Sequence, residues 1–406
     1  MAATAPDIRG MSIAAAGLAT GFRPQTLPGW TYDNAEFFEL EKRQLLLKSS
    51  QLVCHVSEVR SPGDYATLDF LGERAFVIRG ADGELRAFHN VCRHRAAAVV
   101  HGATGRCDRA IRCFYHGWVY DLDGRLKALP AEATFARLDR ADFGLKPLEM
   151  EIYLGFVFVR FAPGGESVAA RLVPYRDELA AYRPEQMVPT DRIWDVNVPV
   201  DWKNVMDNYL EGYHVPVGHP GLYRLFGNSY EVDTRQGNVA RAIGWLRDKE
   251  SANWSERHYQ RLRPEVAYLP EPLRKSWRYY KLLPNLAFDV YPEQMDFFQV
   301  IPVAPGKARL RGRMYALPSN DRRMNAARWL SSRVNVKVFE EDNALIESVQ
   351  AGLGTSAYGQ GYFSEKEICL RQFHDMIRAA VPVAARVERP APGTVAAENA
   401  RLAGGN

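Results

Sequence analysis

Residues 92–118 read CRHRAAAVVHGATGRCDRAIRCFYHGW, and the order of metal-binding side chains in this stretch decides what must be built around it. One residue lies between Cys92 and His94, two lie between Cys113 and His116, and eighteen residues separate the halves. Each half is a short loop able to present one thiolate and one imidazole. A two-iron, two-sulfur cluster in which two cysteines hold one iron and two histidines the other needs this set, and interleaving lets each loop touch both irons. Neutral imidazoles in place of two thiolates raise the reduction potential of such a cluster. A tetrahedral zinc site is the alternative, because two Cys and two His also satisfy zinc. Zinc sites usually pair like with like, as C-x-x-C followed by H-x-x-x-H, so the alternating order favours the cluster. Cys107 and His101 in the same stretch lack such partners and read as structural, with an oxidisable thiol as the lesser alternative for Cys107.

Outward from this stretch the texture is β. From about 51 to 162, short runs rich in Val, Ile, Phe and Tyr are cut by turn signals at Pro62-Gly63, Asp82-Gly83 and Asp123-Gly124. This predicts an all-β cluster domain over 49–165. Before it, residues 34–48 read as a helix capped by Asn34, in a segment 1–48 expected to pack on the second domain. The Ala-rich stretch at 11–19 reads as a frayed start rather than a signal peptide. Over 166–381 helices alternate with strands. Residues 202–214 have a helical pattern, 286–302 and 308–317 alternate like paired strands, and 321–352 and 364–380 are helical. In 308–317, Arg309, Arg311 and Arg313 share a face opposite Leu310, Gly312 and Met314, which predicts one side turned to water. The segment 382–406, rich in Ala, Pro, Gly and Glu, reads as a disordered tail.

A second constellation lies in the helical region. Residues 207–219 read DNYLEGYHVPVGH, with His214 and His219 five apart. Pro216 and Gly218 interrupt any continuous helix, so His214 ends one and His219 folds back toward it. Two histidines and one carboxylate are the ligand set of non-haem Fe(II) oxygenases, with positions left open for oxygen and substrate; two unrelated histidines at a helix end are the alternative. Glu340, Glu341, Asp342 and Glu347 on the later helix are the candidate carboxylates. Asp342 has Val338, Phe339, Leu345 and Ile346 as its helical neighbours, which puts it in the middle of an apolar stripe. A lone buried carboxylate is expensive unless it is paired or binds metal. Asp342 is the predicted ligand, Glu341 the reserve, and a salt-bridged core carboxylate the alternative. Glu211, three residues before His214, is expected to share its helix face and to accept a hydrogen bond from its ring N–H.

Bulk properties narrow the classes. The 52 basic and 48 acidic residues nearly balance, so there is no concentrated basic face to hold a nucleic acid. No apolar run reaches the roughly 18 residues that a membrane span needs. Five cysteines at uneven spacing make no secreted disulfide framework, and a reducing cytoplasm is expected.

The segments Cys92-Arg93-His94-Arg95 and Cys113-Phe114-Tyr115-His116-Gly117-Trp118 resemble the cluster motifs of Rieske non-haem iron oxygenases, the ring-hydroxylating oxygenase α subunits. The resemblance runs from about 34 to 380 and extends to the branch acting on choline, betaine and carnitine. That family carries an Asn, a carboxylate, His-x4-His and a later aspartate ligand; Asn208, Glu211, His214, His219 and Asp342 match these in order. Many members have Asp where this chain has Glu211, whereas Glu is common in homotrimeric relatives, including those acting on quaternary amines. The segment from Asn208 to Glu211 is one residue shorter than in naphthalene-type enzymes. Respiratory Rieske proteins have two further cysteines where this chain has Ala97 and Tyr115, so the oxygenase type is implied. Ala96 stands where the family usually has Gly.

The resemblance implies an α+β fold, with an N-terminal all-β Rieske domain and a C-terminal helix-grip-like domain built on an antiparallel sheet. It implies a [2Fe-2S] cluster on Cys92, His94, Cys113 and His116, and a mononuclear non-haem Fe(II) on His214, His219 and Asp342. It gives Glu211 and Asn208 catalytic-site roles, with Glu211 reaching His94 or His116 of a neighbouring subunit in a head-to-tail homotrimer. The chain has neither a Gly-rich dinucleotide fingerprint nor a plant-type ferredoxin cysteine run, so NAD(P)H electrons must come through a separate reductase, with or without a ferredoxin.

For the substrate pocket, Trp277, Tyr279, Phe288, Tyr291 and Phe297 are the candidates, with plain core packing the alternative for each. Aromatic walls suit an aromatic ring and also a trimethylammonium group. The expected activity is O2-dependent hydroxylation or oxidative demethylation of a small aromatic compound. A quaternary ammonium compound is the alternative substrate, and an electron carrier without oxygenase activity or a zinc-stabilised binding module the alternatives of other classes.

Overall fold

A computed structural model describes residues 24–236 and 239–404. The stretch at 11–19 therefore lies outside the described residues.

The first half forms three small antiparallel sheets. A four-stranded sheet runs in the order Leu85–His89, Glu73–Arg79, Asp64–Phe70, Thr104–Arg106, and a three-stranded one pairs Ile111–Arg112, Val119–Tyr120 and Leu126–Ala128. Between them Phe76, Ile78, Phe88, Val99, Trp118 and Tyr120 close a core beneath the Cys92 and Cys113 loops. Gly63 explains the first turn signal. It sits at φ +86°, and an added Cβ would meet the Cys107 carbonyl at 1.9 Å, so the chain passes closest at a residue without a side chain. The Cys107 amide donates to the Gly63 carbonyl at 2.9 Å, which extends the antiparallel pairing of Asp64–Phe70 with Thr104–Arg106.

The second half is an eight-stranded antiparallel sheet running Val188–Pro189, Lys307–Ala316, Met295–Ala304, Leu286–Val290, Ser276–Leu282, Val239–Trp245 and Tyr230–Gln236, with Trp194–Val198 also paired to Lys307–Ala316. The 32-residue helix Arg322–Leu353, capped by Asp321, is tied to the sheet side by Gln294, whose amide donates to Ser331 and Ser332. The result is the expected α+β architecture. Among the described residues no helix is long and apolar enough to cross a membrane.

Four expectations need correction. The run 286–302 is two strands, Leu286–Val290 and Met295–Ala304, joined by a tight return in which the Tyr291 amide donates to the Gln294 carbonyl. Alternation continues through the turn, so periodicity alone did not reveal it. The helix expected over 202–214 covers Trp202–Tyr209 only. The segment after 382 is ordered: Pro382–Ala385 packs on the helices Ile368–Ala380 and Val395–Ala403, and the latter folds back onto the N-terminal helix Ala35–Glu41. Val383, Ala384 and Val395 are fully buried, Asn399 accepts from the Val383 amide, and Glu36 accepts from the amides of Gly393 and Val395. A few small apolar groups and side-chain caps hold a segment whose composition looked unable to pack.

The arginine face of Lys307–Ala316 packs on the first domain, with Arg311 buried and Arg309 and Arg313 only partly exposed. Arg311 is buried and donates to the carbonyls of Leu52 and Val53 at 3.1 Å each. Arg313 pairs with Glu58, and Arg309 donates to the Asp69 carbonyl. All three reach across to the first domain, and Gln299, Gln51 and Asn285 join the same polar seam. Replacing Arg311 by Met strands two buried carbonyls, and losses of this kind run to about 2–4 kcal/mol. Arg311→Met is therefore expected to lower the urea midpoint by a corresponding amount, and a midpoint equal to the parent's would show that the seam does not hold the domains together.

The candidate metal centres and their cavity

The two cysteine loops are copies of one turn. In the first, the Ala96 amide donates to the Cys92 carbonyl at 3.0 Å and the Cys92 amide to the Ala97 carbonyl. In the second, Gly117 donates to the Cys113 carbonyl at 3.1 Å and Cys113 to the Trp118 carbonyl. The residue four after each cysteine is left-handed, Gly117 at φ +70° and Ala96 at φ +60°. The turn thus demands a conformation that glycine adopts freely and alanine does not.

These turns aim the Cys92 and Cys113 thiols inward, both buried, where they contact one another, and a Tyr120 hydroxyl lies 3.3 Å from the Cys92 sulfur. The His94 and His116 rings lie side by side, centroids 4.5 Å apart, on the outer side. His94 stacks on Trp118, and its buried Nδ1 has no protein partner. Two adjacent sulfurs beneath two adjacent imidazoles, one with an orphaned nitrogen, fit a cluster with a cysteine-held inner iron and a histidine-held outer iron. Phe114 and Tyr115 beside them are 69% and 52% exposed. His101 packs against the Phe114 ring and has no place among the donors.

The second centre is built from a broken helix. Asp201 caps Trp202–Tyr209, and the buried Lys203 ammonium is held between Asp201 and Glu41. Beyond Leu210 the chain leaves the helix, so Glu211 and His214 do not share a helical face as expected. Instead the Glu211 carboxylate closes a turn, accepting from the backbone amides of Tyr213 and His214 and from His214 Nδ1. One helical turn follows, Val215–Gly218, with Pro216 in its first positions, and Pro220 starts the next helix. His219 precedes that proline, is non-helical at φ −123°, ψ 74°, and so points back toward His214.

His219 Nε2 is 3.1 Å from His214 Nε2 and 2.9 Å from Asp342 Oδ1, which is 3.7 Å from His214 Nε2. Metal bonds of roughly 2.1 Å place neighbouring ligand atoms about 3 Å apart, so this trio has the spacing of a filled triad. Each imidazole is oriented from behind: His214 Nδ1 by Glu211 and His219 Nδ1 by Glu341 at 3.0 Å. With those nitrogens donating, both Nε2 lone pairs face the Asp342 oxygen, an arrangement that calls for a cation between them. Asn208 donates to Asp342 at 2.6 Å. Asp342 thus takes the predicted place, and the reserve Glu341 turns out to hold His219. Leu345, expected in the buried stripe, is exposed; Asp342 borders a cavity rather than a sealed core.

That cavity has a volume of about 430 Å³. Of the five aromatic candidates, Tyr279 and Tyr291 line it, while Trp277, Phe288 and Phe297 belong to the cores behind. Trp194, Tyr209, Tyr230, Phe298 and Phe339 are the other aromatic residues of the wall, and Asp289 and Asp296 open into it. Tyr209 donates to Asp289, and the Lys281 ammonium sits behind the Tyr209 ring, 4.6 Å from its centre. Burial pushes the Asp289 carboxyl up to about 7, against the opposing pull of Tyr209 and Lys281. Burial and the neighbouring Asp289 push Asp296 well above the usual carboxylate range. The sequence reading missed these two acids, although a lone Asp in the apolar strands LAFDV and MDFFQV was a visible signal.

Residues 49–144 match the family described as Rieske [2Fe-2S] domain, and residues 184–382 the family described as ring hydroxylating alpha subunit (catalytic domain). The chain is 32% identical over 343 residues to the carnitine monooxygenase oxygenase subunit of Acinetobacter pittii, covering 83% of this chain and 87% of that one. It is 34% identical over 232 residues to the Escherichia coli (strain K12) carnitine monooxygenase oxygenase subunit, a match spanning 56% of this chain and 61% of the relative. The chloroplastic choline monooxygenase of Arabidopsis thaliana is 27% identical over 368 residues, 87% of this chain and 82% of that one. The solved quaternary ammonium Rieske monooxygenase CntA in complex with L-carnitine superposes with a TM-score of 0.73 at 26% identity, covering 88% and 95%.

The repeated cluster turn gives a local test. A left-handed alanine costs about 1–2 kcal/mol, of which glycine's extra unfolded-state freedom returns about 0.5–1. Ala96→Gly is expected to raise the thermal midpoint by the equivalent of about 0.5–1 kcal/mol with the cluster absorption unchanged. A lowered midpoint would mean that the turn carries no such strain.

Proposed function

We propose that this chain, which belongs to the family of Rieske ring-hydroxylating oxygenase α subunits, is the oxygenase component of a monooxygenase acting on a quaternary ammonium compound. The observation that carries the substrate side is the cavity wall beside His214, His219 and Asp342, where aromatic rings surround Asp289 and Asp296. Aromatic faces attract an ammonium group, and carboxylates facing them complete a site for a cation. A neutral aromatic substrate, the first expectation from sequence, would leave both acids unanswered. The matched relatives are named for carnitine and choline, which favours the same choice.

In this reading Cys92, Cys113, His94 and His116 hold the [2Fe-2S] cluster, and His214, His219 and Asp342 hold the mononuclear iron. When bound, the cluster passes on single electrons and the mononuclear iron activates O2. The balance is one substrate C–H hydroxylated, one water formed and two electrons drawn from NAD(P)H through a separate reductase. Glu211 and Glu341 fix the imidazoles by taking their Nδ1 protons in hydrogen bonds, and Asn208 steadies Asp342. The aromatic wall excludes water and orients the ammonium group. Exposed Phe114 and Tyr115 flank the cluster imidazoles, and exposed Tyr213 and Val217 flank Glu211. A head-to-tail homotrimer would cover both patches and bring Glu211 to His94 or His116 of the next subunit. An electron carrier without oxygenase activity would have no use for three converged donors beside a cavity.

The test is oxygen uptake with NADH and a reductase over choline, carnitine, glycine betaine, aromatic acids and aryl ethers. Uptake coupled to oxidation of a quaternary ammonium compound is expected; coupled uptake with aromatic substrates alone would overturn the reading. Glu211→Gln is expected to keep the iron content and cluster spectrum of the parent while turnover and cluster reoxidation slow by about 10- to 100-fold. Parent-like reoxidation in that variant would exclude the bridging role.

A further inference from the structure

Asp289 and Asp296 are direct cross-strand partners. Tyr279 pairs with Asp289 on one side and Met314 with Asp296 on the other, so one row across four strands presents Tyr, Asp, Asp and Met to the cavity. Like charges directly opposite in a sheet are unfavourable. Asp289 is partly answered by Tyr209 and Lys281. Asp296 has only a long contact from the Tyr291 hydroxyl, at 3.4 Å, and its strongest electrostatic neighbours are two further acids, Asp289 and Asp191. Asp191 itself lines the cavity from an exposed position.

Among the described residues, the same wall offers an anion no lysine or arginine. Lys281 lies behind Tyr209 and donates to its backbone carbonyl. The amides of Asn208 and Asn335 are committed to Asp342 and to the Tyr291 hydroxyl. Asn343 and Ser332, with the hydroxyls of Tyr230 and Tyr279 and the indole N–H of Trp194, remain as neutral groups, enough for a hydroxyl.

We propose that this cavity selects a substrate with a fixed positive charge and no carboxylate, an alkylammonium or ammonium alcohol, and that Asp296 is the residue that determines this specificity. The inference rests on the quaternary ammonium reading above and narrows it, because carnitine and glycine betaine carry a carboxylate that would have to enter a site already lined by acids. In a partly buried site such a charge is discriminated by at least about tenfold in affinity.

The test is calorimetric titration of the holoenzyme, both metals loaded and no reductase present, with choline, its neutral isostere 3,3-dimethylbutan-1-ol, glycine betaine and L-carnitine. Choline is expected to bind at least about tenfold tighter than each of the other three. Glycine betaine or L-carnitine binding as tightly as choline would overturn this inference and leave the broader reading standing. Equal binding of the neutral isostere, or no binding of choline, would overturn it as well, and oxygen uptake with aromatic acids alone would then remove the broader reading too. Asp296→Asn is expected to weaken choline at least about tenfold, leave the neutral isostere unchanged and retain the parent's iron content; choline affinity equal to the parent's would remove Asp296 from the role.

Discussion

Three lone-pair-bearing atoms are held within about one van der Waals contact of each other. His214 Nε2 and His219 Nε2 come from a turn and a pre-proline joint, Asp342 Oδ1 from a helix far later in the chain, and with both Nδ1 atoms donating, the lone pairs of the three atoms repel one another. The surrounding structure supplies the order. Glu211 closes the turn that carries His214, Pro220 sets the backbone of His219, and Glu341 fixes its ring. The long helix that carries Asp342 is anchored to the helix Trp202–Tyr209, which leads into the turn of His214, by Asn204, which donates to the Ile346 carbonyl, and by Gln350, which accepts from the Asp201 amide. Buried Lys203 then ties that same helix to Glu41 of the N-terminal segment. The ordering of 24–48 and 382–404 is therefore part of how the triad is positioned.

The two domains are joined with comparable care. A strand whose arginines looked solvent-facing instead donates to backbone carbonyls of the neighbouring domain, with Gln51, Asn285 and Gln299 filling the remaining bonds. Arginine suits this role because its planar fork serves several acceptors at once. One hydrophobic core also runs through the junction, taking in Val53, Val59 and Leu68 from one side and Val300, Ile301 and Leu310 from the other. The cluster loops thus ride on a domain fixed to the catalytic sheet.

How much of this was legible followed the range of the interactions. The cluster loops were readable because each is a local turn with its donors inside five residues. Asp342 was readable from its helical neighbours, although the reason was partly mistaken: Leu345 is exposed and the carboxylate faces a cavity. Glu341 was ranked as an alternative ligand because sequence cannot say that His219, more than a hundred residues earlier, lies against that particular face. The pairing of Asp289 with Asp296 was hidden for a related reason. Reading 286–302 as one strand removes the return at 291–294, and with it the register that sets the two acids opposite each other.

That pairing bears on stability as well as recognition. The folded-state carboxyl of Asp289 is raised to about 7 from an ordinary value near 4, so the native state holds its proton more tightly than the unfolded chain does. Its contribution to stability is then present below the unfolded value and is lost as pH rises through about 7. At neutral pH and above, the empty site works against the fold. A sheet with no other use for these positions would be better served by Tyr, Val or Thr there, which pack against their cross-strand neighbours without any charge to desolvate. A bound cation reverses the sign, because it favours the ionised form and is stabilised in return, and binding to the folded state alone adds to stability by mass action. At neutral pH the acid pair is thus a local cost that a positively charged occupant relieves, as protonation does at lower pH.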